Sequence, residues 1–123
     1  MDSLNSMGEL EGAVLESIWQ SGELSTPAAF EAIGKPRGLA YTTILTVLQR
    51  LHRKGLVGRR PAGRGHIYFP ALSREKFSEG RGESLASTFV ALGPAGVAAF
   101  VEATERLDPA MVDLLRQRLD ERI

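Results

Sequence analysis

The chain has 123 residues, 43% apolar and 24% charged, with fifteen basic and fifteen acidic side chains, a formal net charge of zero and no cysteine. That is the composition of a soluble globular protein of one ordinary domain, or a small domain with an appendage; lacking cysteine, it excludes disulfides, thiolate nucleophiles, zinc fingers and thiolate metal sites. No apolar run approaches the roughly 20 residues needed to cross a bilayer, and residues 1–7 lack the basic and apolar regions of a secretory signal, so a cytoplasmic chain with no membrane association is expected.

After residues 1–7, read as a disordered N-terminus, the first periodic segment spans 8–20. Leu10, Val14 and Ile18 recur at helical spacing, and Leu15 and Trp19 widen the stripe. Ser21-Gly22 ends it. Ser25 or Thr26 then offers a capping hydroxyl, with Pro27 in the first turn of a short helix that ends by Gly34 and buries Ala28, Phe30 and Ile33, or some of them. A turn over 35–38 leads to a third helix over 40–54, closed by Gly55. On a helical wheel Ile44, Val47, Leu48 and Leu51 cluster on one side. Thr42, Thr46, Gln49, Arg50 and Arg53 lie opposite, with Thr43 on one flank and Tyr41 and His52 on the other. A strand over 56–60, a loop over 60–65 and a second strand over 66–70 form a hairpin with Arg59, Arg60 and Arg64 at its tip. Beyond it, a helix from a Ser73 cap to about Leu92 contains Gly80 and Gly82. Gly93-Pro94 breaks the chain, a short helix covers 95–105, and Asp108 caps a last helix with Pro109 at its first position.

Charge is distributed unevenly over these elements. Residues 32–74 contain no acid and nine basic residues: Lys35, Arg37, Arg50, Arg53, Lys54, Arg59, Arg60, Arg64 and Arg74. Elsewhere six basic residues face fifteen acids. Such segregation is the mark of a polyanion-binding surface. The third helix bears no carboxylate, although an ordinary solvated face mixes acids and bases in i,i+4 pairs. Some other anion is therefore expected to balance it. Three helices followed by a hairpin, with the polar face on the third helix, is the order of a winged helix-turn-helix. In that module helix three enters the DNA major groove and the wing reaches the backbone or minor groove. Threonine suits thymine methyls and base-edge acceptors, glutamine suits adenine and arginine suits guanine or phosphate. The expected DNA-binding set is Tyr41, Thr42, Thr43, Thr46, Gln49, Arg50, Arg53, Arg59, Arg60 and Arg64, on double-stranded DNA.

The stretch 40–57, AYTTILTVLQRLHRKGLV, with Gly63-Arg64, the Tyr68-Phe69-Pro70 ending of the wing and Leu10-Glu11 with Val14, Ile18 and Trp19 in the first helix, resembles the penicillinase-repressor family. That family comprises BlaI, MecI and related copper-responsive repressors, and the similarity covers most of residues 8–72. It continues more loosely through Phe100-Val101-Glu102 and the Leu107, Leu115 and Leu119 positions into the family's small dimerisation domain. The resemblance implies a mainly α protein: a winged helix-turn-helix DNA-binding domain over 8–72 and a helical dimerisation domain over 73–123. It also implies a homodimeric transcriptional repressor on a palindromic promoter operator, like regulators of β-lactam resistance. Thr43 and Thr46 would lie nearest the bases, with Tyr41 and Thr42 at the helix start and Arg64 on the wing. In antibiotic-responsive members a protease of the inducing pathway inactivates the repressor at an Asn-Phe bond. The matching pair here is Ala99-Phe100, so that site is altered. The cysteine cluster of copper-responsive members is absent.

About 50 residues from Ser73 on are too few to close a core alone, yet they hold Leu85, Phe89, Val97, Phe100, Val101, Val112, Leu115 and Leu119. A second copy is the simplest cover for these residues, which form the expected dimerisation set. Nothing resembles an enzyme. Neither His52 nor His66 has a carboxylate nearby in sequence, and no glycine loop is followed by Lys-Ser or Lys-Thr. No catalytic residue, metal or cofactor is expected. His52 is read as packing at the helix-three core edge and His66 as pairing across the hairpin. The alternative function is a winged-helix protein–protein interaction module without specific DNA binding, for which Trp19 would be the anchor.

Overall fold

The computed structural model describes residues 8–122; the segment expected to be disordered, 1–7, lies outside them. The chain divides into two compact units, Met1–Ser84 and Leu85–Ile123. Elements follow in the order α1 (Glu9–Ser21), β1 (Leu24–Ser25), α2 (Thr26–Ala29), α3 (Tyr41–Arg53), β2 (Val57–Ala62), β3 (Gly65–Pro70), α4 (Arg74–Val90), α5 (Gly93–Leu107) and α6 (Pro109–Asp120). Between α2 and α3 the helical path continues as a π-helical turn (Phe30–Gly34) and a 3-10 turn (Lys35–Arg37). The Ser25 hydroxyl caps α2, accepting from the Ala28 N–H at 3.2 Å. Along this helical path Ala29 is buried, and of the three candidates for burial Ile33 is buried, Phe30 half-buried and Ala28 exposed. A Cβ at Gly34 would lie 2.7 Å from Ile44 Cγ1. Glycine there lets the end of the α2 path approach α3.

Val14, Leu15 and Ile18 of α1 pack with Ile44, Val47, Leu48 and Leu51 of α3, as the periodicity of both helices predicts. Burial of the four α3 side chains stabilises by about 6–12 kcal/mol at roughly 1.5–3 kcal/mol each, an upper estimate. That outweighs the ~1 kcal/mol a capping side chain adds, so α3 forms although Ala40 at its N-cap has no side chain to offer.

The sheet has three antiparallel strands in the order β1-β3-β2. β1 is too short to show a period in sequence, and only its pairing, Leu24 with Tyr68 and Ser25 with Ile67, defines it. The hairpin is tighter than the expected loop over 60–65. Arg60, Pro61 and Ala62 continue β2, and Ala62 pairs with Gly65, leaving Gly63-Arg64 as the turn. Gly63 has φ of +60°, suiting the first position of a two-residue hairpin loop. Pro61 is tolerated because β2 is an edge strand. Within β3 the fully buried side chain is Tyr68, while Ile67 and Phe69 are half-buried.

Three contacts hold the start of α4 in the first unit. Trp19 Nε1 donates to the Leu72 carbonyl at 3.0 Å, Phe77 packs on the Trp19 ring at 5.4 Å, and Arg74 sits over the same ring while bonding both carboxylate oxygens of Glu16. The two hydrogen bonds donated by Arg74 hold the Glu16 carboxyl below the ordinary glutamate range. Ser73 caps α4 through the Lys76 N–H at 3.1 Å. In the second unit, Phe89 and Phe100 meet edge to face at 5.2 Å and Val112 is buried. Asp108 Oδ1 accepts from the Ala110 N–H at 3.1 Å, the cap expected for α6. α5 begins at Gly93, two residues earlier than expected, because Pro94 falls in its first turn, where a missing N–H costs nothing. Among the described residues no helix is long and apolar enough to cross a membrane.

Candidate nucleic-acid interface

Because the apolar stripe of α3 is buried, its opposite side faces outward by geometry. Tyr41, Thr42, Thr46, Gln49, Arg50 and Arg53 are exposed, and Thr43 and His52 are half-buried on the flanks. Phe30 steadies Tyr41 at the helix start, with ring centroids 5.6 Å apart. The first turn of α3 has neither a capping side chain nor an acid, which leaves the positive end of the helix dipole free for an anion.

Carboxylates from outside the acid-free window reach into it. Lys35 pairs with Glu31 at 3.5 Å, Arg37 with Glu9 at 3.1 Å and Arg60 with Glu23 at 2.7 Å; Arg74 is held by Glu16. Glu11, 7% exposed on α1, accepts from Lys54 Nζ at 2.8 Å and from Arg50 Nη1 at 3.4 Å. For Arg50 the other anion expected to balance α3 is Glu11, 39 residues away in sequence. Arg60 likewise has an internal carboxylate partner, Glu23.

Arg53, Arg59 and Arg64 have no carboxylate partner among the described residues. They do not scatter. Arg53 and Arg59 line one cleft with Gln49 and His52. Arg64 lines a second, of about 600 Å³, with Ser25, Thr26, Tyr41, Gln49 and His66. Gln49 belongs to both. The three uncompensated guanidiniums thus flank the uncharged polar face of α3. His66 lies opposite Pro61 in the hairpin, with its ring 6.1 Å from that of Tyr68. Among the described residues no group of His, Asp and Glu is arranged to hold a metal ion.

The expected dimerisation residues divide by exposure. Leu85, Phe89, Phe100, Leu115 and Leu119 are exposed, Val97 and Val101 are half-buried, and Val112 is buried within its own unit. Apart from Tyr41, the large exposed apolar side chains among the described residues all fall between Leu85 and Leu119. An apolar groove of about 320 Å³ between α5 and α6 is lined by Phe100, Val101, Met111, Val112, Leu114 and Leu115, among others. Ala99-Phe100 is inside α5, in a regular helical turn.

A structure of the DNA-binding domain of the repressor BlaI is 26% identical, with a TM-score of 0.53, covering 60% of this chain and 90% of that one. The Bacillus licheniformis BlaI monomeric form in complex with the blaP half-operator is 25% identical, with a TM-score of 0.50, covering 61% and 92%. The transcriptional regulator BlaI of Mycobacterium tuberculosis is 38% identical, covering 98% of this chain and 88% of its own length. The penicillinase-repressor family model matches residues 7–121. With the winged helix in place and its match running through both units, the chain belongs to the penicillinase-repressor family, transcriptional regulators rather than enzymes.

Proposed function

We propose that this protein is a homodimeric transcriptional repressor that binds a two-fold symmetric DNA operator, one α3 to each half-site. The observation that carries this reading is the convergence of Arg53, Arg59 and Arg64 on Gln49 of the exposed α3 face. Phosphate contacts set register, and base edges are read by the uncharged groups between them. Thr42, Thr43, Thr46 and Gln49 are the base-reading set; Arg53, Arg59 and Arg64 take phosphates, and the open first turn of α3 at Tyr41 suits another. The domain boundary is proposed near residue 73, where α4 begins; the first turns of α4 stay packed on Trp19, and its remainder with α5 and α6 supplies the dimerisation surface. The exposed apolar residues of α4 to α6 favour a second copy as their cover. A C2 dimer presents its two recognition helices about 34–36 Å apart or at a multiple of that spacing. Trp19, the anchor offered for the protein–protein alternative, is engaged by Leu72, Arg74 and Phe77.

Regulation of β-lactam resistance is the pathway that the family membership supports. Proteolytic relief at Ala99-Phe100 requires α5 to open locally, since a protease takes its substrate extended. The test is a salt series on duplex DNA. Three free arginines per protomer make about six phosphate contacts in a dimer and a log–log slope near −5. Affinity should then fall about 10³-fold between roughly 50 and 200 mM salt. Indifference to salt would refute DNA binding. Sedimentation of Leu115→Asp tests the dimer: the variant should be monomeric where the wild type is dimeric, and an unchanged dimer would refute the α5–α6 surface as the interface.

A further inference from the structure

Glu23 stands between α1 and β1, and Arg60 Nη2 donates to its Oε2 at 2.7 Å. The two side chains are 52% and 51% exposed, so the pair is open to any competing anion. Alternation along β2 sends its two neighbouring arginines to opposite faces of the sheet. Arg59 falls in the row of Leu24 and Tyr68, and Arg60 in the row of Ser25 and Ile67. Arg59 opens into the cleft beside α3 without a carboxylate partner among the described residues, whereas Arg60 is held.

We infer that Glu23 is an internal counter-ion that withholds Arg60 from DNA phosphates and so limits how tightly the protein holds DNA of any sequence. This rests on the DNA-binding reading above. Phosphate contacts supply nearly all sequence-independent affinity, and each one steepens the salt dependence by a countable amount. Arg60 shares the row of Ser25 and Ile67, which line the cleft of Arg64, so once released it can add one such contact per protomer. Glu23 offers it a carboxylate already in place. An exposed pair of this kind is weak, but a phosphate that displaced it would leave the Glu23 carboxylate unpaired beside the DNA backbone, so the exchange gains no net contact.

The experiment is a salt series of anisotropy titrations on a random-sequence duplex of about two helical turns, ~21 base pairs, using the full chain. Glu23→Gln should steepen the log–log slope by about 0.9 per protomer, about 1.8 for the dimer, a further loss of about 12-fold over a fourfold rise in salt. Arg60→Gln alone should leave the wild-type slope unchanged, and the double variant should return to it. Glu79→Gln, which removes the same charge from its pair with Lys76 on α4, should leave the slope as it is. An unchanged slope in Glu23→Gln, a gain that survives in the double variant, an equal gain in Glu79→Gln, or a flattening by Arg60→Gln alone would each overturn the role of Glu23. A wild type that shows no salt-dependent binding would overturn the DNA-binding reading instead.

Discussion

Replacing Glu11 by alanine removes the carboxylate that joins α1 to the last turn of α3. The Lys54 ammonium it neutralises has a side chain only 17% exposed and donates at 2.8 Å. Breaking a buried pair from one side costs roughly 3–5 kcal/mol when both charges are dry. Lys54 retains some water and Arg50 is about half exposed, so about 2–4 kcal/mol is expected for Glu11→Ala. Glu11→Gln keeps an acceptor and should cost about half of that, since a hydrogen bond to a charged group is worth ~1.5–3 kcal/mol. Replacing both partners, Glu11→Met with Lys54→Met, should recover most of the loss, because two apolar groups of similar volume leave no buried charge unpaired, and Arg50, which also loses Glu11, is about half exposed and stays hydrated. Urea unfolding followed by Trp19 fluorescence reads the change as a lower midpoint at constant slope, at fixed protein concentration because a dimer couples stability to concentration. A loss below about 1 kcal/mol in Glu11→Ala, or a double variant as unstable as the sum of the singles, would refute the pair as a structural clamp.

Three further outcomes follow from particular side chains. Thr46→Ala should weaken the specific operator by about 1–3 kcal/mol and spare random DNA, whereas Arg64→Ala should weaken both alike; equal losses from the two variants on both duplexes would show that base reading lies elsewhere. The depressed Glu16 carboxyl binds fewer protons folded than unfolded, so its stabilisation is present above the unfolded pKa and is lost as pH falls through the lower folded one. Acid titration of Trp19 fluorescence should therefore show a transition below the ordinary glutamate range that Glu16→Gln abolishes, and an identical profile in the variant would refute the assignment. Tyr68→Phe should be neutral or stabilising by up to ~1 kcal/mol, since its buried hydroxyl has no partner among the described residues; a thermal melt lowered by more than that change would show the hydroxyl to be bonded.

Local pattern made α1, α3, the hairpin and the caps legible before any fold was known. The 3.6-residue spacing of Val14 and Ile18, and of Ile44, Val47, Leu48 and Leu51, places each stripe inward wherever the helix packs. The order of three helices and a wing followed from the same reading, and so did the outward face bearing Thr42, Thr46 and Gln49. Boundaries were less legible where pairing overrides propensity. Pro61 reads as a breaker, yet an edge strand accepts it, and β1 exists only because β3 offers it a partner.

Charge pairing was not legible, because a carboxylate 39 residues away, Glu11 for Arg50, has no periodic relation to its partner. By itself the sequence determined that positive charge is concentrated in residues 32–74 and that α3 carries no acid. Tertiary structure decided which of those cations are available. By packing α1 against α3 and joining β1 to the wing, it brought Glu9, Glu11, Glu16 and Glu23 to Arg37, Arg50, Lys54, Arg60 and Arg74. It left Arg53, Arg59 and Arg64 around Gln49, because Coulomb attraction acts over distance in space and not over separation along the chain.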